Sequence, residues 1–251
     1  MIDIYYPFFE REAAWEELRY SLRSLVTYLE FDFRVVIVGD MPAWMNPESV
    51  LYIPHERIEH IKENQLYDAI TKQLLFCNHP DTSLRFIRMY DDIYLLDDLL
   101  LEDLFEPVAM YPYHKVPQRS GTWWDQLYRT IGMLKIKGYP AFNSETHLPE
   151  LFNKEKMLFV INAYSALDNR LLTSSLYYNT FFPTIEPRWF SKDLAIQFYN
   201  DVDDVFYTNS QGDLVEKCKG KKFLNHNDQG LNENLKRFLI SRFPQKSEFE
   251  L

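Results

Sequence analysis

The sequence predicts an α/β protein with a mostly parallel central sheet flanked by helices. Two apolar segments, residues 33–38 and 84–89, have the length and composition of buried parallel strands. Residues 12–29 and 64–77 place apolar side chains at helical spacing. Because these strands and helices alternate along the chain, they indicate a parallel sheet with helices packed on its faces.

The same patterns complete the list of elements. Residues 2–7 and 50–53 are predicted to be shorter strands of the same sheet. Further helices are predicted at residues 127–137, 154–164, 171–178 and 229–243. Since no repeat, low-complexity segment or linker interrupts the chain, we expect one domain over residues 1–251. Within it, residues 1–110 form the sheet-rich half, and residues 111–251 form a helical C-terminal elaboration.

Composition excludes several classes of binding protein. Only 7 of the 251 residues are glycine, and none completes a G-x-G-x-x-G or G-x-x-x-x-G-K-[ST] motif. A dinucleotide fingerprint and a P-loop are therefore absent. The net charge of −10 argues against general affinity for a nucleic-acid backbone. Any phosphate must then be held by local side chains or by a metal ion.

Cysteine usage and hydropathy bear on the compartment. Cys77 and Cys218 show neither metal-ligand spacing nor a disulfide framework, which favours a reducing compartment. No apolar run approaches 18 residues, and the first residues lack the basic region of a secretory signal. We therefore expect a cytoplasmic protein without a transmembrane segment, and peripheral association with a membrane stays open.

Two adjacent carboxylates, Asp91 and Asp92, follow the strand predicted at residues 84–89. Open α/β sheets bind ligands at the carboxyl ends of their strands. A hard cation such as Mg²⁺ or Mn²⁺ relieves the repulsion between neighbouring carboxylates and can neutralise a leaving phosphate. On spacing alone, an ordinary loop whose acids cap a turn or face water is equally plausible. A D-x-D within residues 201–204 is a weaker candidate and favours a solvated turn.

Three other features could carry chemistry. Asn225, His226, Asn227 and Asp228 open the densest polar cluster, which suits metal or phosphate contact but also helix capping. His147, within E-T-H-L-P, could be a general base, a phosphate partner or a surface histidine. The adjacent pair at residues 123–124, both tryptophan, could be core or a platform for stacking sugars.

Several segments together resemble one family. M-Y-D-D-I-Y at residues 89–94 is similar to an Asn-Asp-Asp motif, with Tyr90 in place of the first asparagine. E-T-H-L-P at 145–149 is similar to a His-x-Pro motif. F-L-N-H-N-D at 223–228, followed by F-P-Q-K-S-E-F-E at 243–250, is similar to a C-terminal signature. In this order the motifs resemble the Stealth family of capsular polysaccharide phosphotransferases and the related N-acetylglucosamine-1-phosphotransferase.

The resemblance implies a GT-A-like (Rossmann-like) fold and a metal-dependent transferase with a nucleotide-sugar donor, with a UDP-sugar expected. Such enzymes move a sugar-1-phosphate to a hydroxyl of a polysaccharide or glycan acceptor. Residues 1–110 would then bind the donor, and residues 111–251 would bind the acceptor and complete catalysis. Two alternatives remain: a glycosyltransferase that moves the sugar alone, and a non-catalytic carbohydrate-binding protein. The family's opening V-Y-T-W-V-D-G is replaced by residues 4–10, which removes an acid and a glycine near the donor site.

A nucleotide-sugar diphosphate brings about two negative charges that an acidic protein must neutralise, and this requirement assigns expected roles to individual residues. Asp91 and Asp92 would hold Mg²⁺ or Mn²⁺, with His226 or Asp228 completing the metal shell. His147 or one of the aspartates would accept the proton of the acceptor hydroxyl. The remaining candidates would contact the donor or offset its charge: Arg19, Arg23, Asp40, Lys72, Asn225 and Asn227. Arg170 is the nearest match to an arginine that follows the family's His-x-Pro segment.

Overall fold

The structure, a computed structural model, describes residues 1–198 and 211–251. The D-x-D predicted within residues 201–204 lies outside the described residues. The helices that the described chain forms are α1 (Glu17–Tyr28), α2 (Asn64–Asn78), α3 (Thr122–Ile136), α4 (Lys154–Ala163), α5 (Ala166–Asn169), α6 (Thr173–Phe181), α7 (Gln211–Cys218) and α8 (Glu233–Arg242).

A five-stranded sheet forms the centre, with the strand order β3-β2-β1-β4-β9. Its strands are β1 (Ile2–Phe8), β2 (Phe33–Gly39), β3 (Val50–Pro54), β4 (Arg85–Arg88) and β9 (Glu150–Asn153). The first four strands run parallel, whereas β9 pairs antiparallel with β4 and places Glu150 opposite Arg88. The predicted, mostly parallel sheet is therefore confirmed.

A second sheet of three strands has the order β11-β12-β5. Its strands are β5 (Ile93–Leu95), β11 (Ala195–Phe198) and β12 (Phe223–His226). Two short pairs complete the strands of the described chain: β6 (Val108–Ala109) with β10 (Arg188–Trp189), and β7 (Tyr111–Pro112) with β8 (Phe142–Asn143). The C-terminal elaboration therefore contains strands as well as helices, and the prediction of a helical elaboration is wrong. Strand β12 was missed because its apolar pair is followed by two polar residues, Asn225 and His226.

The central sheet is buried on both faces. Successive side chains of a strand point to opposite faces, so Val36 and Val38 pack with Phe76 of α2, while Val35 and Ile37 pack with Leu22 of α1. Helices α3, α4 and α6 add to the first of these two cores. Coverage on both faces explains the continuous apolar run of β2. It also leaves the carboxyl edge of the sheet as the place where polar side chains can gather.

Gly39 closes β2 with a backbone φ of +123°, and a Cβ there would lie 2.0 Å from the Phe8 carbonyl oxygen. Gly39→Ala is therefore expected to lower the free energy of unfolding by more than about 1 kcal/mol. The matched control is Gly132→Ala in α3, where an added Cβ meets nothing within 4 Å. That change should raise stability by about 0.5–1 kcal/mol. Urea unfolding measures both, and equal effects would contradict the close approach.

Candidate active site

Asp91 and Asp92 lie where the chain leaves one sheet and enters the other. Strand β4 ends at Arg88, and β5 begins at Ile93 in the three-stranded sheet. The two carboxylates are therefore at the carboxyl end of a parallel strand, where the sequence predicted them. This edge is the usual ligand site of open α/β sheets.

His147 is the nearest partner of Asp92. Its Nε2–H donates to Asp92 Oδ1 at 2.7 Å, and its ring stacks on Tyr90 with centroids 5.0 Å apart. Asn225 holds the backbone of the same histidine, because its Nδ2 donates to the His147 carbonyl at 2.6 Å. His147 itself has a φ of 53°, in the left-handed region. Two segments, the one that carries Tyr90 and Asp92 and strand β12, thus fix one imidazole against one carboxylate.

The carboxylates have opposite pKa shifts. Burial, together with the charges of Asp92 and Glu17, raises the pKa of Asp91 to about 8. Burial would also raise the pKa of Asp92, but the charge and hydrogen bond of His147 outweigh burial and lower it. Burial alone would lower the pKa of His147, yet Asp92 raises it. Ionising both carboxyls together is therefore unfavourable, and a cation between them would favour the ionised form of Asp91.

His226 is buried beside this pair and already has protein partners. The Tyr94 hydroxyl donates to its Nε2 at 3.0 Å, and its Nδ1–H donates to the Asn227 carbonyl at 3.1 Å. Burial lowers its pKa, which favours the neutral ring. A cation can reach Nε2 only if the hydrogen bond from Tyr94 breaks. The predicted metal role of His226 therefore has no direct support in this geometry.

The rest of the predicted polar cluster divides between the sheet and the surface. Asn225 belongs to β12 and is fully buried, whereas Asn227 and Asp228 are exposed. Asn227 Oδ1 accepts the N–H of Gly230. Helix α8 begins four residues later than predicted, and Asn232 is its N-cap. The alternative interpretation, in which Asn227 or Asp228 caps this helix, is therefore wrong.

The cations predicted to offset donor charge are engaged elsewhere. Arg23 forms a bidentate pair with Glu250, and Arg19 Nε lies 3.5 Å from the same carboxylate. Lys72 is buried, donates to the Phe8 carbonyl at 2.8 Å and lies 2.7 Å from Asp68. These contacts join segments of the fold, so the predicted contact of the three cations with a donor has no direct support in this geometry.

Two further predicted residues lie away from the Asp92–His147 pair. Asp40 follows β2 and accepts the N–H of Glu10 at 2.8 Å, so it stays at the carboxyl edge. Arg170 follows α5, and its guanidinium lies 4.5 Å from the Tyr67 ring centroid.

The tryptophans at 123 and 124 lie in the first turn of α3, with their ring centroids 4.8 Å apart. Trp123 is exposed, so core packing is wrong for that residue.

A buried polar layer of Arg88, Glu150, Thr173 and Ser174 lies beneath the site and was not predicted from the sequence. Arg88 donates to Glu150 Oε2 at 2.5 Å and also to the hydroxyls of Thr173 and Ser174. Burial raises the pKa of Glu150 to about 7 despite this arginine. The signal was an arginine inside the apolar segment 84–89, three residues before Asp91. Since such a charge can be buried only with a partner, it pointed to an unseen acid.

The described residues contain no group of three or more His, Cys, Asp or Glu side chains placed to hold a metal. Asp91 and Asp92 supply two hard oxygen donors whose repulsion a cation would relieve. This donor set fits Mg²⁺ or Mn²⁺ with the remaining positions filled by a diphosphate and water, since Mg²⁺ keeps several such ligands. Metal dependence is therefore a proposal that rests on the carboxylate pair.

Comparison with solved structures identifies the architecture. The galactosyltransferase LgtC in complex with donor and acceptor sugar analogs superposes with a TM-score of 0.53 at 11% identity, over 98% of both chains. An active-site mutant of LgtC gives 0.52 at 12% identity, again over 98% of both chains. The fold is GT-A-like.

The bifunctional glycosyltransferase WbbM shares this GT-A-like fold, with a TM-score of 0.58 at 11% identity. The match covers 98% of the present chain but 50% of WbbM. No protein-family profile matches the sequence, and no curated relative matches it. Within the residues described, no helix has both the length and the apolar character needed to cross a bilayer. The structural neighbours are therefore glycosyltransferases, and the Stealth resemblance stays a prediction.

Proposed function

We propose that the protein is a transferase that moves a sugar from a nucleotide-sugar donor to a hydroxyl of a glycan acceptor. The observation that carries this proposal is the Asp92–His147 pair beside Asp91, at the carboxyl end of β4 in a GT-A-like fold. A carboxylate pair with an oriented imidazole can bind a charged leaving group and accept a proton. The UDP-sugar donor, the polysaccharide acceptor and the cytoplasmic location remain predictions from the sequence.

The sheet order suggests how the donor lies along the site. The nucleoside would bind across the ends of β3, β2 and β1, where Asp40 is located. The diphosphate would then reach the end of β4, where Asp91 and Asp92 would hold Mg²⁺ or Mn²⁺. When bound, such a cation would neutralise the charge of the departing nucleotide. Residues 1–110 would thus bind the donor, and residues 111–251 would supply His147 and the acceptor side.

His147 is the proposed proton acceptor. Because Nε2–H donates to Asp92, the imidazole is held in the tautomer with an unprotonated Nδ1. Nδ1 has no hydrogen bond among the described residues. The acceptor oxygen would bond to the anomeric carbon as the carbon–oxygen bond to the diphosphate breaks. The nucleoside diphosphate would leave with the electron pair, and the acceptor proton would pass to His147 Nδ1.

Sugar-1-phosphate transfer is the second candidate, and the F-P-Q-K-S-E-F-E segment at residues 243–250 favours it through its resemblance to the Stealth signature. In that reaction the acceptor oxygen bonds to the phosphorus that carries the sugar. The bond to the second phosphate breaks, and a nucleoside monophosphate leaves. The same Asp91, Asp92 and His147 would act on either bond.

The identity of the released nucleotide tests both reactions. The protein is incubated with Mg²⁺ or Mn²⁺ and with UDP-glucose, UDP-galactose, UDP-N-acetylglucosamine and GDP-mannose, with an EDTA-treated sample as control. With water as the acceptor, release of nucleoside diphosphate is the expected result and supports glycosyl transfer, whereas monophosphate supports sugar-phosphate transfer. Binding of a donor without release supports the carbohydrate-binding alternative. Neither binding nor release with any donor would overturn both enzymatic proposals.

A further inference from the structure

Glu145 presents a carboxylate at the rim of the site, two residues before His147. One oxygen, Oε1, accepts the backbone N–H of Ser175 at 2.8 Å, in the first turn of α6. Its backbone N–H donates to Asn143 Oδ1 at 3.0 Å. The side chain is half-buried, and Oε2 makes no hydrogen bond within the described part of the chain. The carboxylate is thus fixed at one oxygen and open at the other.

The surroundings of Glu145 connect it to the Asp92–His147 pair. Its charge acts on Tyr90, whose ring stacks on His147, and on the buried Arg88 and Glu150. The Arg88 guanidinium lies 5.3 Å from the centroid of the Tyr90 ring and donates a hydrogen bond to the hydroxyl of Ser174. Ser174 is adjacent to Ser175, whose N–H donates to Glu145. Glu145 therefore belongs to the same wall of the site as Tyr90 and His147, above a buried charged layer.

The strand order gives this wall a place along the donor. From one side to the other, the carboxyl edge passes the ends of β3, β2 and β1, then Asp91 and Asp92 after β4, and then the segment that leads into β9. Glu145 and His147 lie on that last segment. A donor with its diphosphate at Asp91 and Asp92 and its nucleoside towards β3 would have Glu145 within the part of the edge left for its sugar.

We propose that Glu145 binds a hydroxyl of the transferred sugar through Oε2 and thereby selects the sugar of the donor. The inference rests on the proposed function, because it assumes a nucleotide sugar in this orientation. An ionised carboxylate accepts hydrogen bonds and donates none, so it suits sugar hydroxyls. Its charge disfavours a nearby phosphate, which agrees with a place beyond the diphosphate. Hydrogen bonds to ionised groups are stronger than those between neutral groups.

Glu145→Gln tests this role, because the amide oxygen still accepts the Ser175 N–H while the charge is lost. Calorimetry compares the binding of a nucleoside diphosphate with that of the matching nucleotide sugar, using the UDP and GDP pairs of the donor panel. We expect the nucleotide sugar to bind about 10- to 100-fold more weakly than to the unchanged protein. The affinity for the nucleoside diphosphate should stay the same.

Two variants make the result decisive. Glu155→Gln changes an exposed glutamate in the first turn of α4 and should alter neither affinity. Glu145→Asp keeps the charge but shortens the side chain, so it should weaken the nucleotide sugar alone, and it replaces the glutamine variant if that protein fails to fold. Equal weakening of both ligands, or of neither, would overturn the role of Glu145. If the unchanged protein binds no nucleotide and no nucleotide sugar, the proposed function fails first.

Discussion

Asp92→Asn is expected to reduce nucleotide release by about 10³- to 10⁴-fold, by analogy with the loss of an aspartate that orients a catalytic histidine. The change removes one of two charges that would hold a cation. It also places an amide against His147 Nε2, 2.7 Å away, which favours the wrong tautomer of the ring. Both effects act on the transition state, so the turnover number should fall more than the donor affinity.

Asp98→Asn is the matched control, since Asp98 is an exposed acid six residues further along the chain. It should retain full activity. Circular dichroism and the thermal midpoint must show that Asp92→Asn remains folded. Activity above a tenth of the original in a folded Asp92→Asn protein would contradict the proposed roles of both Asp92 and His147.

Glu250→Gln is expected to lower the free energy of unfolding by about 3–5 kcal/mol, the cost of leaving a buried charge without its partner. Arg23 Nε and Nη2 each donate to the Glu250 carboxylate at 2.7 Å, and Nη1 donates to the Phe243 carbonyl at 2.9 Å. Only 3% of the Glu250 side chain and 10% of the Arg23 side chain are exposed. The substitution would thus leave the buried guanidinium of Arg23 without its countercharge.

The pH dependence of this pair has a definite sign. Burial alone would raise the pKa of Glu250, but hydrogen bonds from Arg23 and from the Ser247 backbone outweigh burial and lower it. The stabilisation is therefore complete above the unfolded-state pKa of about 4.3. It is lost as the pH falls through the lower folded-state pKa.

Urea unfolding at pH 7 and at successively lower pH measures this difference. The gap between the original protein and Glu250→Gln should be constant above about pH 5.5 and should shrink in acid. Glu248→Gln, at an exposed neighbouring position, is the control and should be nearly neutral. A gap that widens in acid would contradict the ion pair.

The elements that depend on local patterns could be predicted from the sequence. The apolar run of β2 and the helical periodicity of α1 and α2 each specify a buried face, and the end of β4 then places Asp91 and Asp92. What the sequence could not supply was the partner of each charge. Arg19 and Arg23 stand four apart on one helix face, but spacing does not say whether that face meets a phosphate or Glu250.

Contacts between distant segments were hidden for the same reason. His147 and Asp92 are 55 residues apart, and no local pattern links them. Asn225 and His226 looked like a loop because polar residues seldom fill a buried strand. They are buried because the His147 carbonyl and the Tyr94 hydroxyl satisfy them. Only the folded arrangement shows that pairing.

Asp91 and Asp92 lie where the chain passes from one sheet to the other, so the geometry of the site depends on the angle between the two sheets. His147 precedes β9 of the first sheet. Asn225, whose side chain donates a hydrogen bond to the His147 carbonyl, belongs to β12 of the second sheet. A change in the angle between the two sheets would therefore move the imidazole relative to the carboxylate. The position of His147 against Asp92 thus depends on both sheets, so packing changes far from the site are expected to alter the proposed activity as well as the stability.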